Sequence, residues 1–473
     1  MARAKYDKID LFENYPIPKA VSTLVVPTVL ACLVMVLYNL ADTFFVGMLN
    51  DPVQTSAVTL VAPVILAFNA VVNLGGIGCS SLMSRALGSR DYETVKKTSA
   101  FGFYFSIIAG ALLSLICIIG GGNLRALLGA TEVNDAATAQ YMLWTVFCGA
   151  IPSITNVVTA QLVRAEGMAL HASIGTMSGC ILNIILDPIF ILPWGLNMGA
   201  AGAGCATFIS NCVACLYLVI LILVKGDKTL VSINPKDFRP TMAIVKEVCG
   251  VGVPAAIQNL LNVTGMTVLN NFTAAYGAEA VSAMGIAHKM SLVPLYISMG
   301  IGQGIMPLVG YNYAAGNRKR MKDSLIYTVK LAGAFMIIAT VLYYMFSRNI
   351  IGMFMKNQIV VNYGGEFLKG MSLAQFFLGI DFLAVGVFQA CGMGKKSFIF
   401  AILRKIVLEI PALFILNKLF PMYGLAYAQL VAEVILSAIA VIELKKILDE
   451  PAPPKAEPVD PEKLNEAVTE TVE

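Results

Sequence analysis

The chain has 473 residues, of which 58% are hydrophobic and only 13% are charged, and its mean hydropathy is +0.76. This composition excludes a soluble globular protein, because a water-soluble fold of this length cannot bury so much apolar surface. It predicts an integral membrane protein. The formal net charge of +4 is small, so we attribute it to membrane topology and infer no nucleic-acid partner from it.

Apolar runs of roughly 20 residues, the length of helix that crosses the hydrocarbon region of a bilayer, recur twelve times. The sequence therefore predicts an all-α integral membrane fold with twelve transmembrane helices. Their predicted limits are 20–47, 57–83, 97–121, 137–162, 169–195, 200–224, 243–273, 279–310, 325–347, 365–391, 397–420 and 424–444. The first run is too long for a cleavable signal and has no small-residue cleavage site, so we expect it to be a span.

Lysine and arginine are distributed unequally between the two sides of these spans. Five basic residues flank the side opposite the termini: Arg125, Arg348, Lys356, Lys369 and Lys418. Lys289, Arg404 and Lys405 fall within predicted spans, and the rest of the 33 flank the side that carries both termini. Because cytoplasmic loops carry the excess of Lys and Arg, both termini are predicted to be cytoplasmic.

The chain reads as two membrane halves with two polar segments. We predict an N-terminal six-helix lobe at residues 1–225, a basic linker at 226–242, and a C-terminal six-helix lobe at 243–448. Residues 449–473 are rich in Pro and Glu and short of large apolar side chains. Such a segment cannot bury enough surface to order itself, so a disordered acidic tail is predicted.

The two halves resemble each other in sequence, as long-period repeats do. KAVSTLVVP ends at Pro27 and KEVCGVGVP at Pro254, and AQLVRAEGM (160–168) corresponds to FQACGMGKK (388–396). With six spans in each half, both halves enter the membrane from the same side. The repeat is therefore parallel, and two six-helix bundles around a central cleft are predicted, as in transporters that rock one bundle against the other.

A few polar groups lie inside spans that are otherwise apolar. Tyr38 and Asp42 share one face of span 1, and Asn183 and Asp187 share one face of span 5. At 1.5 Å per residue, Asp42, Asp187 and Thr207 lie roughly 8, 12 and 10 Å below the same outer surface. Two carboxylates that converge in a low dielectric cannot both stay ionised without a counter-charge. A proton, or a small cation such as Na⁺ held by oxygens of Asp42, Asn183, Asp187 and Thr207, would supply it.

An alternative interpretation assigns each carboxylate a structural role. A lone Asp near a helix end often bonds to backbone, and Asp187 precedes Pro188, which leaves a carbonyl one turn back without its usual partner. Intramembrane ionisable residues are nevertheless functional by default. We therefore favour a coupling site for the pair.

Further polar residues within the spans are candidates for lining the cleft. Those singled out for a substrate cleft are Gln161, Asn259, Asn262, Gln303 and Asp381, the last at mid-membrane on span 10. Arg404 and Glu409 are interpreted as members of ion pairs, and Lys289 as a counter-charge to Asp381 or Glu433, since buried charges are usually matched.

Several segments together resemble the multidrug and toxic compound extrusion (MATE) family over residues 10–448. They are YNLADTFFVG (38–47), GIGCSSLMSRALGSRD (76–91), NIILDPIFI (183–191), MGAAGAGCATFIS (198–210) and VGYNYAAGNRKR (309–320). The resemblance implies a bacterial cytoplasmic-membrane exporter with two lobes, driven by inward flow of Na⁺ or H⁺, with organic and often cationic drugs as substrates.

The resemblance also implies roles for particular residues. It places the family's N-lobe cation and proton site on Tyr38, Asp42, Asn183, Asp187 and Thr207, and a bend of the first helix at Pro27. Members with a C-lobe cation site carry a Glu on span 7. Here that span reads VPAAIQNLLNVTGMTVLNN (253–271), which leaves such a site without this ligand.

We therefore expect a monomeric antiporter that exports drugs by alternating access, with H⁺ or Na⁺ as coupling ion and no cofactor. The alternative is a flippase for lipid-linked precursors, but such a protein would need several cationic side chains in its cleft. A membrane enzyme is disfavoured because the chain has only His171 and His288 and lacks the HExxH, GxSxG and phosphate-loop motifs. A channel would be separated from an exchanger by its stoichiometry.

Overall fold

The computed structural model describes residues 9–450, in which helices are the only regular elements and no strand occurs. Twelve helical spans follow one another in chain order. They are α1 (Ile17–Gly47), α2 (Pro52–Gly88), α3 (Tyr92–Leu127), α4 (Asp135–Cys148 and Ala150–Ala165), α5 (Ala169–Ile191), α6 (Ala200–Lys225), α7 (Met242–Ala274), α8 (Ala278–Ala314), α9 (Arg318–Met345), α10 (Gln358–Ala390), α11 (Gly394–Ile402, Leu403–Glu409 and Ile410–Leu419) and α12 (Gly424–Asp449). A short helix, Ser347–Gly352, links α9 to α10.

Ten of these helices are each long and apolar enough to cross a bilayer, and α4, bent by 46° between its two segments, adds an eleventh. The twelfth, α11, is helical over residues 394–419 but carries Arg404, Lys405 and Glu409 near its middle. These charges explain why it is less apolar than the others. The predicted all-α fold with twelve spans is confirmed. The predicted tail lies almost entirely outside the described residues.

The structure corrects the predicted end of span 5. Helix α5 ends at Ile191 rather than at 195, because the chain folds back on itself there. The Leu196 amide donates to the Ile189 carbonyl at 2.7 Å, and the Met198 amide donates to the Phe190 carbonyl at 2.9 Å. Asp187 therefore lies only about 6 Å from its helix end by helical rise, so its predicted depth of 12 Å was too great.

Pro27 lies inside α1, which is a continuous helix over its whole length. Proline removes one main-chain hydrogen bond and disturbs the preceding turn. Near this point the Thr28 hydroxyl donates to the Leu24 carbonyl at 2.8 Å. A bend at Pro27 in another conformation stays a prediction.

Helices of the two sequence halves approach one another through glycines. We call the side of the molecule where α1 begins the near face, and the opposite side the far face. A Cβ at Gly300 would lie 2.8 Å from the Val29 Cα, and one at Gly304 would lie 2.8 Å from the Val25 Cα. These glycines, four residues apart on one face of α8, let α1 pack directly against it, as small residues do in membrane helices. Both contacts lie in the half of the helices toward the near face.

The segment before α1 also ties the two halves together at the near face. The Phe12 ring stacks on Tyr311 with centroids 4.8 Å apart, and the Tyr311 hydroxyl donates to Glu13 at 2.6 Å. From α9, the Arg320 guanidinium donates to the carbonyls of Phe12 at 2.5 Å and Tyr15 at 2.6 Å. These bonds close the near face over the contact between α1 and α8.

The glycine packing leads to a stability prediction. We expect Gly304→Ala to lower the free energy of unfolding by about 1–3 kcal/mol, because the added methyl group must push α1 away from α8. Unfolding in detergent micelles measures this loss. The matched control is Gly333→Ala in α9, where a Cβ would meet only ordinary contact with Phe376 at 3.6 Å. Equal effects of the two substitutions would contradict the packing argument.

Candidate functional site

A polar cluster joins α1, α5 and α6 inside the first lobe, with Asn183 at its centre. Its partners orient the Asn183 amide: Nδ2 donates to Asp187 Oδ2 at 3.0 Å, and Oδ1 accepts from the Thr207 amide at 3.1 Å and from the Thr207 hydroxyl at 3.3 Å. Asn183 and Asp187 are both essentially fully buried. The i,i+4 spacing on α5 therefore does what the sequence predicted and places both side chains on one inward face.

Helix α1 contributes Tyr38 and Asp42 to the same cluster. Tyr38 contacts Thr207 and interacts electrostatically with Asp42 and Asp187, and the two carboxylates interact with each other. Asp42 Oδ1 is buried and has no hydrogen-bond partner. The structure thus brings together all five residues that the sequence analysis placed in the coupling site.

The cluster is rich in oxygen and poor in positive charge. In the part of the chain that the structure describes, no Lys or Arg forms an ion pair with Asp42 or Asp187. Two carboxylates, an amide oxygen and hydroxyls are ligands that suit a hard cation, and an unpartnered buried carboxylate oxygen also suits a proton. Among residues 9–450 no group of three or more His, Cys, Asp or Glu could hold a metal ion.

Sequence reasoning missed three members of this polar region. Tyr141 of α4 is buried and interacts electrostatically with Tyr38, Asp42 and Asp187. From α6, Asn211 donates to the Thr207 carbonyl at 3.0 Å, and Asn156 of α4 donates to Asn211 at 3.3 Å. Asn211 follows Thr207 by four residues, so the same helical spacing could have found it. Tyr141 and Asn156 gave no comparable signal.

A separate cavity lies between α2, α7, α8 and α10. Predicted cleft residues Asn259, Asn262 and Gln303 line it. Its other polar side chains are also amides, and its apolar wall includes methionine and phenylalanine: Asn73, Gln258, Gln389, Met299, Met306 and Phe382. We call this space the amide cavity. Gln161 of α4 reaches it indirectly, because its Nε2 donates to Gln303 Oε1 at 3.2 Å.

The buried charges of the second lobe form a cluster of their own. Arg404 Nε donates to Glu433 Oε1 at 2.7 Å, and Arg404 Nη1 lies 3.6 Å from Asp381 Oδ2. Lys405 Nζ bonds Glu409 at 2.6 and 2.8 Å. All five side chains are buried, and the π-helical turn Leu403–Glu409 places three of them there.

One expectation for these residues was wrong and another stays a prediction. Asp381 is not among the residues that line the amide cavity and lies beside Arg404, so its place in a substrate cleft stays a prediction. The counter-charge of Asp381 and Glu433 is Arg404 and not Lys289, which is exposed on α8 and forms no ion pair within residues 9–450. Lys289 is exposed, whereas Arg404 is buried beside both carboxyl groups. Arg404 and Glu409 do take part in buried ion pairs, as expected. They do not pair with each other: Arg404 pairs with Glu433, and Glu409 pairs with Lys405.

This cluster should be essential for stability. We expect Arg404→Met to lower the free energy of unfolding by about 3–5 kcal/mol, because it leaves Asp381 and Glu433 buried without a cation. The matched control is Arg348→Met, which removes an exposed arginine paired with Glu366 at 3.3 Å and should change stability by less than about 1 kcal/mol. Unfolding titrations in mixed micelles compare the two. A loss for Arg404→Met no larger than the control would contradict the argument.

The fold and the cluster together define a class of protein. Twelve spans that repeat in parallel as two sets of six, with ionisable groups buried inside the spans, are the architecture of a secondary transporter. The MatE family model matches residues 27–189 and again residues 254–415. The two matches begin at Pro27 and Pro254, the positions at which the repeat was recognised in the sequence.

Curated proteins agree with this assignment. Multidrug export protein MepA of Staphylococcus aureus (strain MRSA252) is 33% identical over 439 residues, which covers 93% of this chain and 96% of that protein. MepA of Staphylococcus saprophyticus is 32% identical over 454 residues, which covers 96% and 99%. The chain belongs to the MATE family, as the sequence resemblance indicated. It is thus a membrane transporter and not an enzyme.

A solved structure shares the fold. The outward-facing conformation of a multidrug resistance MATE family transporter of the MOP superfamily superposes with a TM-score of 0.87 at 24% sequence identity, over 93% of this chain and 98% of that one. The twelve-helix architecture is therefore that of MATE transporters.

Proposed function

We propose that this transporter exports organic drugs, many of them cationic, in exchange for H⁺ or Na⁺. The observation that carries this proposal is the pair Asp42 and Asp187, buried in one polar cluster without a basic partner. A buried carboxylate pair of this kind needs a mobile positive charge. Relatives at 33% identity are named multidrug export proteins, which supports drugs as the cargo.

We place the near face in the cytoplasm. Basic residues lie on that face in the loop after α2, such as Arg90, and in the first turns of α9, such as Lys319 and Lys322, and the cytoplasmic side carries such an excess. The salt bridge between Arg85 and Glu247 at 2.9 Å also lies there. With the near face closed by these contacts, we assign this conformation as outward-facing, in a cytoplasmic membrane.

The exchange follows from the electrostatics of the cluster. A proton or Na⁺ that arrives from outside cancels one of the two negative charges of the Asp42 and Asp187 pair, which weakens its attraction for a cationic drug, and the drug leaves. The ion then remains bound while the lobes reopen toward the cytoplasm. Because the coupling is reciprocal, drug binding must weaken ion binding by the same factor.

The carboxylates provide the direct test. In vesicles with an imposed ion gradient, Asp42→Asn and Asp187→Asn should each lower the initial rate of drug efflux about tenfold or more, because a charge-assisted ligand is lost. The matched control is Asp323→Asn, which neutralises an exposed carboxylate on α9 and should leave the rate unchanged. Undiminished gradient-driven efflux in both Asp42 and Asp187 variants would reject the proposal.

Thr207 separates the two candidate ions. Na⁺ needs several oxygen ligands, whereas a proton needs only a carboxylate, so Thr207→Val should affect the two kinds of coupling differently. If Na⁺ is the ion, the Na⁺ concentration for half-maximal efflux rises about tenfold. If H⁺ is the ion, efflux driven by a pH gradient is retained. Efflux measured with Na⁺ and pH gradients imposed separately distinguishes these results.

A further inference from the structure

A buried arginine lies close to the contact between the lobes and takes no part in the coupling cluster. Arg164, near the end of α4, is only 5% exposed. Its Nη1 donates to Gln161 Oε1 at 2.9 Å, while its Nε is buried and has no partner. Within residues 9–450 no carboxylate pairs with it, and the one titratable side chain with which it interacts is the Cys32 thiol. An uncompensated buried charge is costly, so its retention needs a reason.

Hydrogen bonds connect Arg164 to the amide cavity. Arg164 donates to Gln161 of its own helix, and Gln161 donates across the lobe boundary to Gln303, which lines the cavity. A Cβ at Gly76 of α2 would lie 3.2 Å from the Gln161 Cγ, so α2 holds Gln161 in this position. The guanidinium thus lies one side chain behind the floor of the cavity.

The other charges near the cavity are either distant or neutralised. No residue that lines the amide cavity is ionisable. Arg404 lies over the ring of Phe382, with Cζ 4.9 Å from its centroid, but Glu433 and Asp381 compensate its charge. The paired carboxylates Asp42 and Asp187 belong to the cluster of α1, α5 and α6. The charge that hydrogen bonds link to the floor of the amide cavity is therefore that of Arg164.

Only one of the two repeats has an arginine at this position of its own chain. When residues 160–168 are aligned with residues 388–396, Gln161 corresponds to Gln389, but Arg164 corresponds to Gly392. Gln389 lines the cavity directly. At Gly392 a Cβ would lie 2.6 Å from Cζ of Arg85, so in the second repeat this position is covered by a guanidinium from α2, which is paired with Glu247.

We propose that Arg164 determines specificity for organic substrates that carry a carboxylate, zwitterions above all. When the lobes separate at the near face, the bond between Gln161 and Gln303 opens and the guanidinium meets the substrate. The carboxylate then receives charge-assisted hydrogen bonds from Arg164, while the amides of the cavity hold the uncharged polar groups. This inference rests on the proposed function as a drug exporter.

Two dyes of one scaffold provide the test. Rhodamine B carries a free carboxylate on a cationic ring system, and its ethyl ester carries the cation alone. In vesicles that contain the full chain, Arg164→Gln should raise the KM for rhodamine B about tenfold, as the loss of a charge-assisted bond predicts. The KM for the ester should stay constant or fall, because a repelling charge has gone.

Three further variants make the test specific. Arg164→Lys should raise the KM for rhodamine B less than Arg164→Gln does, because the charge is kept but the planar fork is lost. Gln303→Glu should reproduce the loss of selectivity, since its carboxylate would neutralise Arg164 internally. Arg239→Gln, the matched control, removes an exposed arginine of the linker and should leave both KM values unchanged.

The outcomes separate the two proposals. If Arg164→Gln changes both KM values by one factor, or lowers only the maximal rate for both dyes, Arg164 is structural and this inference is overturned, while drug export stands. If the unmodified protein moves neither dye against a gradient, the proposed function fails and this inference fails with it.

Discussion

A charge inside a bilayer has to be matched by another charge or by hydrogen bonds, and most of the polar architecture of this protein follows from that requirement. The two lobes satisfy it differently. In the second lobe, Arg404 lies beside Asp381 and Glu433, and Lys405 lies beside Glu409, so these carboxyl groups have basic side chains as permanent partners. In the first lobe, Asp42 and Asp187 have no such partner and share a shell of neutral oxygens. The arrangement in the second lobe is suited to stability, and the arrangement in the first lobe is suited to an ion that binds reversibly.

The repeat therefore supplies two similar scaffolds with different chemistry. Each lobe contributes six helices, and glycines such as Gly300 and Gly304 let the lobes meet closely. A contact made of small residues and a few hydrogen bonds, such as that between Gln161 and Gln303, can separate without exposing a large apolar core. This property suits a transporter whose halves must move apart at one face and together at the other.

Much of the fold could be predicted from the sequence, because hydropathy over 20 residues reports directly on spans. The polar cluster of α1, α5 and α6 could also be predicted, since polar side chains at i,i+4 in an apolar helix must share a face. What failed depended on information that sequence does not carry. The predicted end of α5 was wrong because the residues after Ile191 are apolar, and hydropathy does not show that the chain folds back there. The predicted partner of Asp381 was wrong because the sequence does not show that Lys289 is exposed while Arg404 is buried beside Asp381 and Glu433. Arg164 was counted with the basic residues of one membrane face, because no pattern shows that the segment before α1 and the linker cover the end of α4.

The bonds made by the segment before α1 have a consequence for biogenesis. Hydrogen bonds join this segment, at Phe12, Glu13 and Tyr15, to Tyr311 and Arg320. Tyr311 and Arg320 are synthesised some three hundred residues later. During synthesis the segment before α1 therefore lacks its Arg320 contacts until the first eight spans have been made. An incomplete chain therefore lacks the hydrogen bonds that close the near face, and these bonds are complete only once α9 has been synthesised.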